Sequence, residues 1–331
     1  MKRRMRRTAY AVIGIAAAAA VLLAGATLYL QWYALKARGN ERGKDIAGSY
    51  TYMFRHYPFL RSWTDSLQQA NALRDTFILA DDGTRLHALY LYADTLTPNT
   101  AVVVHGYTDN AVRMLHIAYL YNHDLHYNVL LPDLRFSGLS GGSHLQMGWN
   151  DRLDVLRWTE VANELFAVPT AGTHMMLHGI SMGGATIMCA SGEVQPPYVN
   201  CYVDDCGFTS VWDEYRSELN KQFGLPAFPL LYLADLATRL RYGWGFREAS
   251  ARKQVARCRL PMLFIHGDHD TFVPTWMGDS LYAAKQGEKA YWRVSGAGHA
   301  DSYLLHPEEY TARVRGFAEW YNHPNGERDD E

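Results

Sequence analysis

The sequence predicts an α/β protein: an eight-stranded, mostly parallel sheet with helices on both faces and a small helical cap, preceded by one membrane-spanning helix. Three observations carry this. Continuous apolar runs such as Ala101-Val102-Val103-Val104 and Met262-Leu263-Phe264-Ile265 read as strands buried on both faces. Segments of helical period separate them, which implies parallel strands joined by crossover helices. An uncharged stretch from Thr8 to Leu35 is longer than the roughly 20 residues that a bilayer core requires.

Taken in order, residues 1–7 form a basic segment with Lys2, Arg3, Arg4, Arg6 and Arg7. Residues 8–35 read as an uncleaved signal anchor, because a cleaved signal peptide has an apolar core of only about 7 to 15 residues. The basic cluster stays in the cytoplasm, Trp32 and Tyr33 sit at the far interface, and the rest of the chain lies outside the cytoplasmic membrane. Residues 36–74 read as a polar, glycine-containing linker to Lys44 and then an aromatic, helix-like segment from Tyr50 to Leu73.

The main domain spans 75–322. Phe77 to Ala80, the turn signal Asp82-Gly83 and Leu86 to Ala93 predict an antiparallel hairpin. Strands follow at Ala101–Val104, Asn128–Leu131, His174–His178, Val199–Val203, Met262–Ile265 and Tyr291–Val294. Helices are expected at Asn110–His123, Asp151–Phe166 and Pro307–Tyr321. Between about 207 and 259 the alternation stops, and aromatic residues and prolines predict a helical cap over the strand ends, where α/β folds bind ligands. Residues 323–331 are polar and acidic enough for a disordered tail.

With 331 residues and 48% hydrophobic composition the chain can bury a large core. A net charge of -2 gives no general attraction for nucleic acid, and neither a phosphate-binding loop nor a dinucleotide fingerprint is present. Cys189, Cys201, Cys206 and Cys258 lie in apolar segments without metal-ligand pairing and read as buried thiols.

The chemistry centres on Gly179-Ile180-Ser181-Met182-Gly183, a serine at a strand-to-helix turn whose glycine neighbours let the chain reverse. A serine hydroxyl needs a base to take its proton and an acid to orient that base. Asp270, in His266-Gly267-Asp268-His269-Asp270, and His299, in Gly298-His299, follow at the ends of later strands in the order expected of such an elbow. The N–H of Met182, at the start of the following helix, would donate to a developing oxyanion. Asp205, which closes the strand after the elbow, is a rival acid. Asp133 and Arg135 read as stabilising their loop, and His105, His178 and His266 as packed or hydrogen-bonded structural groups. The cluster His266, Asp268, His269 and Asp270 lacks the helical histidine pair of zinc peptidases, so neither a metal nor any other cofactor is expected.

These motifs resemble an α/β-hydrolase, and in particular the bacterial α/β-hydrolases with an N-terminal membrane anchor grouped with serine aminopeptidase-like and esterase-like members. The likeness runs from about Asp75 to Trp320, through His105-Gly106-Tyr107, Asp133-Leu134-Arg135-Phe136-Ser137-Gly138, the elbow, the Asp270 segment and Gly298-His299. It implies Asp270 rather than Asp268 as the triad acid, and the N–H of Tyr107 as the second oxyanion donor. It further implies a serine hydrolase that cleaves a small-molecule acyl ester through an acyl-enzyme. A serine peptidase of the aminopeptidase type is the alternative, with Glu214, Glu218 or Asp235 binding the substrate's amino group. An inactive, membrane-tethered binding protein is the other.

Overall fold

The structure, a computed structural model, describes residues 2–322; the expected disordered tail at 323–331 lies outside the described residues. Eight strands form one sheet: β1 (Arg74–Leu79), β2 (Arg85–Leu91), β3 (Asn99–Val104), β4 (Asn128–Asp133), β5 (His174–Ile180), β6 (Val199–Asp205), β7 (Met262–Gly267) and β8 (Lys289–Val294). Their spatial order is β1-β2-β4-β3-β5-β6-β7-β8. β2 runs antiparallel to β1 and β4, and every later pairing is parallel.

The strands alternate their side chains between two cores. Val102, Val104, Leu130, Leu177 and Phe264 face one layer, packed against helices Asp151–Phe166 and Met182–Ser191. Ala101, Val103, Val129, Met176 and Ile265 face the other, closed by helix Pro307–Tyr321. Both faces are therefore apolar, which is why these strands read as unbroken hydrophobic runs.

Three elements differ from expectation. The stretch expected as one helix from Asn110 to His123 is a relay of a 3-10 turn (Ala111–Met114), an α-helical turn (Leu115–Tyr119) and a π turn (Leu120–Asp124). At its start Asp133 Oδ1 accepts from the N–H of Ala111 at 2.7 Å. The aromatic segment is two helices, Ile46–His56 and Leu60–Gln69. Pro58 stands between them and cannot donate the bond that would continue the first.

The polar stretch expected as a linker instead continues the N-terminal helix, which runs Lys2–Lys44. Glu41, Arg42 and Lys44 stay exposed, but Asn40 and Gly43 are buried against the domain. Asn40 Nδ2 donates to the carbonyl of Phe136 at 2.7 Å, the carbonyl of Gly43 accepts from Gly138 N at 2.8 Å, and Leu35 is fully buried in the main core. The early part of this helix is exposed and is long and apolar enough to cross a membrane.

After β6 come helices Val211–Phe223, Leu230–Tyr242 and Ala251–Val255. The first is capped by Ser210, whose side chain accepts from Asp213 N at 3.1 Å, and ends at Gly224 in the left-handed conformation.

Candidate active site

Between β5 and helix Met182–Ser191 a single residue, Ser181, makes the turn, with φ 57° and ψ -118°. A non-glycine residue there costs about 1–3 kcal/mol, which the surroundings must offset. They do so by pinning both sides: Ser181 N donates to the carbonyl of Asp205 at 2.8 Å, and its own carbonyl accepts from Ala185 N at 3.0 Å. The turn is tight enough that a Cβ on Gly183 would stand 2.0 Å from the carbonyl oxygen of Val104, and one on Gly179 would stand 2.2 Å from that of Gly183. Glycine is required at both positions because backbone approaches backbone.

The elbow delivers Ser181 Oγ to 2.9 Å from His299 Nε2, and His299 Nδ1 lies 2.7 Å from Asp270 Oδ2. His299 sits in the loop after β8 and Asp270 in the loop after β7, so neighbouring strand ends converge three groups distant in sequence. The other carboxylate oxygen of Asp270 accepts from the N–H groups of Phe272 and Val273, both at 2.9 Å. Because a carboxylate only accepts, Nδ1 carries the imidazole proton and Nε2 is left to accept from the serine hydroxyl, a tautomer assigned from this network. The Asp270 side chain is fully buried and that of His299 is 22% exposed, toward the cavity. A hydroxyl held by an imidazole that a buried carboxylate orients is the arrangement that makes a serine nucleophilic.

Tyr107 and Met182 line the same cavity beside Ser181. Among the described residues, neither N–H enters a hydrogen bond of the fold. The Tyr107 hydroxyl instead donates to the carbonyl of Ala34 at 2.8 Å, so its side chain is turned to the N-terminal helix.

The other candidates have different partners. Asp205 accepts from the hydroxyls of Tyr310 at 3.0 Å and Ser302 at 3.4 Å, while His299 Nδ1 is taken by Asp270. Burial pushes the Asp205 carboxyl up to about 7, and the nearby Asp270 charge adds to the rise. Asp268 accepts from Gly296 N at 2.7 Å and so ties the β7 loop to the β8 loop. Asp133 accepts from Leu139 N at 2.8 Å, and Arg135 is held by Asp154. His105 Nε2 accepts from Leu134 N at 2.9 Å, and His266 Nε2 meets the carbonyl of Val273 at 2.9 Å.

His178 lies between the hydroxyls of Tyr121 at 3.0 Å and Tyr310 at 2.9 Å, and burial lowers its imidazole to about 3. The four cysteines are free and buried. Among the described residues, only Cys206, Asp270 and His299 bring three ligand-type atoms within 4.8 Å of one another. The Asp270 and His299 atoms there already serve each other and Ser181.

The cavity above Ser181 has a volume of about 740 Å³. Its wall is mainly apolar, with Met147, Phe208, Leu219, Leu231 and Phe246. Glu214 and Glu218 also reach it. Glu214 is buried with Oε2 unpartnered, and burial followed by the Glu218 and Asp270 charges holds its carboxyl well above the usual carboxylate range. Asp235 does not line the cavity; it accepts from Phe246 N at 2.6 Å.

Sequence reasoning missed one wall. Leu30, Gln31, Tyr33, Ala34 and Ala37 of the N-terminal helix face the cavity, and Gln31 Nε2 donates to Thr238 Oγ1 at 2.9 Å in the cap. The available signal was Gln31, an amide side chain in an apolar helix, which needs a partner beyond its own backbone.

The strand order, the strained serine elbow and its imidazole neighbour define a serine-type α/β-hydrolase. Residues 114–323 match the prolyl oligopeptidase family, and the chain belongs to that family. It is 31% identical over 226 residues to the Bacillus subtilis protein YqkD, covering 68% of this chain and 73% of that one. An esterase from Pyrococcus furiosus superposes with a TM-score of 0.62 at 22% identity, over 76% of this chain and 93% of its own. The acylaminoacyl peptidase of Pyrococcus horikoshii gives 0.56 at 18% identity, over 78% of this chain and 43% of its own. Those two likenesses concern the fold alone.

Proposed function

We propose that this protein is a membrane-anchored serine hydrolase that cleaves carboxylic esters through an acyl-enzyme. The observation that carries the reading is the continuous hydrogen-bonded line from Ser181 Oγ through His299 to Asp270, at 2.9 and 2.7 Å. Ser181 Oγ attacks the acyl carbonyl while its proton passes to His299 Nε2. Asp270 holds the Nδ1–H and stabilises the imidazolium. The oxyanion forms between the N–H groups of Met182 and Tyr107, whose freedom from other bonds supports this role. His299 then protonates the leaving alcohol, activates a water for attack on the acyl-enzyme, and returns the proton to Ser181 as the acid leaves.

The apolar cavity wall favours ester substrates with hydrocarbon acyl groups. The unpartnered Glu214 carboxyl supports a second reading, a peptidase that grips a substrate amino group. Hydrolysis of model esters of increasing acyl length, set beside aminoacyl amides, separates the two: activity confined to the amides would overturn the esterase assignment. A fluorophosphonate probe is expected to label the wild type and not Ser181→Ala. Equal labelling of both, or of neither, would sink the triad, and the latter would favour a binding protein.

The N-terminal helix supports anchoring in a bilayer, with Arg3, Arg4, Arg6 and Arg7 on the cytoplasmic side and the hydrolase domain outside.

A further inference from the structure

The N-terminal helix is both the longest apolar segment and a wall of the catalytic cavity, and the distance between those two roles is short. Counting the roughly 20 residues a bilayer core needs from the first uncharged position, Thr8, brings the hydrocarbon edge to Thr27. Thr27 is already buried, and Leu23 and Ala26 are half-buried, so contact with the domain begins inside the spanning stretch. At 1.5 Å per residue, Leu30 and Ala34 stand only about 5 and 10 Å beyond that edge. Both line the cavity above Ser181. The headgroup zone is itself about 5–7 Å deep on each side, so no spacer separates the cavity wall from the lipid.

The cap beside this helix has the matching surface. Gln31 binds Thr238 on helix Leu230–Tyr242. Along that helix and the turn before it, Phe228, Tyr232, Leu236 and Leu240 recur at four-residue spacing and are 72, 45, 51 and 81% exposed. A stripe of large apolar side chains on one helical face is costly in water and is accounted for by contact with lipid.

We propose that this stripe rests in the bilayer interface and that the cavity takes a bilayer-dissolved, long-chain acyl ester, which enters beside the N-terminal helix without crossing water. Hydrolysis adds water across the acyl–oxygen bond, releasing a fatty acid and the alcohol. The inference rests on the serine-hydrolase and membrane-anchor readings above. It explains why the anchor is built into the cavity rather than joined through a flexible linker.

The test uses the full-length protein reconstituted in phosphatidylethanolamine–phosphatidylglycerol vesicles, with umbelliferyl oleate dissolved in the bilayer and umbelliferyl acetate in the water. The double variant Leu236→Asp, Leu240→Asp changes exposed side chains that do not line the cavity. It is expected to lower kcat/KM on the oleate by about tenfold, as loss of a buried leucine contact would, and to leave the acetate rate unchanged. Equal oleate rates for variant and wild type, or a parallel fall on both esters, would overturn the proposal and leave the hydrolase reading standing. Failure of the wild type to hydrolyse either ester would overturn the ester-hydrolase reading itself.

Discussion

Replacing Asp270 by Asn preserves the side-chain volume and both backbone partners but reverses one hydrogen bond. The amide oxygen can still accept from Phe272 N and Val273 N, each now at 2.9 Å. The amide nitrogen then faces His299 Nδ1 across the present 2.7 Å contact, and it can only donate. Nδ1 must become the acceptor, the proton moves to Nε2, and Nε2–H points at Ser181 Oγ when an acceptor is needed there. A wrong tautomer of this kind costs about 10⁴ in kcat, or ~5.5 kcal/mol of transition-state stabilisation.

The assay is steady-state hydrolysis of a soluble ester, with the melting temperature measured in parallel to show an intact fold. Asp205→Asn is the matched control, because Asp205 is hydrogen-bonded to Tyr310 and Ser302 rather than to His299. It is expected to retain kcat within about tenfold, a cost no larger than loss of one charge-assisted hydrogen bond near the site. An Asp270→Asn enzyme that kept kcat within about tenfold of the wild type, or an Asp205→Asn enzyme that lost more than Asp270→Asn, would refute the assignment of the acid.

Asp205→Asn carries a second expectation in stability. The folded carboxyl is raised to about 7, so its contribution is fully present below the usual carboxylate pKa and is lost as pH rises through about 7. The variant should therefore gain on the wild type in denaturant titrations as pH rises from about 4 to about 7, and a difference that is constant with pH would contradict this. Gly183→Ala should lower the melting temperature by more than about 5 °C, since the new methyl would meet the Val104 carbonyl at 2.0 Å; an unchanged melt would mean that the elbow is looser than described. Tyr310→Phe leaves His178 and Asp205 each short of a partner at 2.9 and 3.0 Å, and equilibrium unfolding should register a loss of about 1–3 kcal/mol. Protease added to intact spheroplasts should degrade the hydrolase domain, and full protection would reverse the topology.

Local information was enough for much of this protein. Strands buried on both faces show themselves as unbroken apolar runs, so β3, β4, β5 and β7 were legible within a residue or two. The serine elbow is encoded by adjacent residues, because the glycines that permit the reversal lie within two residues of Ser181 in the chain. The N-terminal apolar helix was equally plain, since length and absence of charge are properties of composition alone.

What depended on the tertiary structure were relations between distant segments. Asp205 closes β6 and Asp270 lies in the loop just after β7, each with another aspartate close by in the chain, and no periodicity distinguishes them. Their partners diverge only when the loops after β7 and β8 fold together, which sets Asp270 on His299, and Tyr310, far along the chain, donates its hydroxyl to Asp205. The polar residues after Leu35 read as linker because polarity predicts contact with water, but in the fold Asn40 and Gly43 satisfy the main-chain groups of 136–138. The cavity is likewise a product of assembly: its walls come from the N-terminal helix, helix Ile46–His56, the cap and the segments that follow β3 to β8. A sequence pattern reports which face of a segment is apolar, whereas only packing decides which other segment that face will meet.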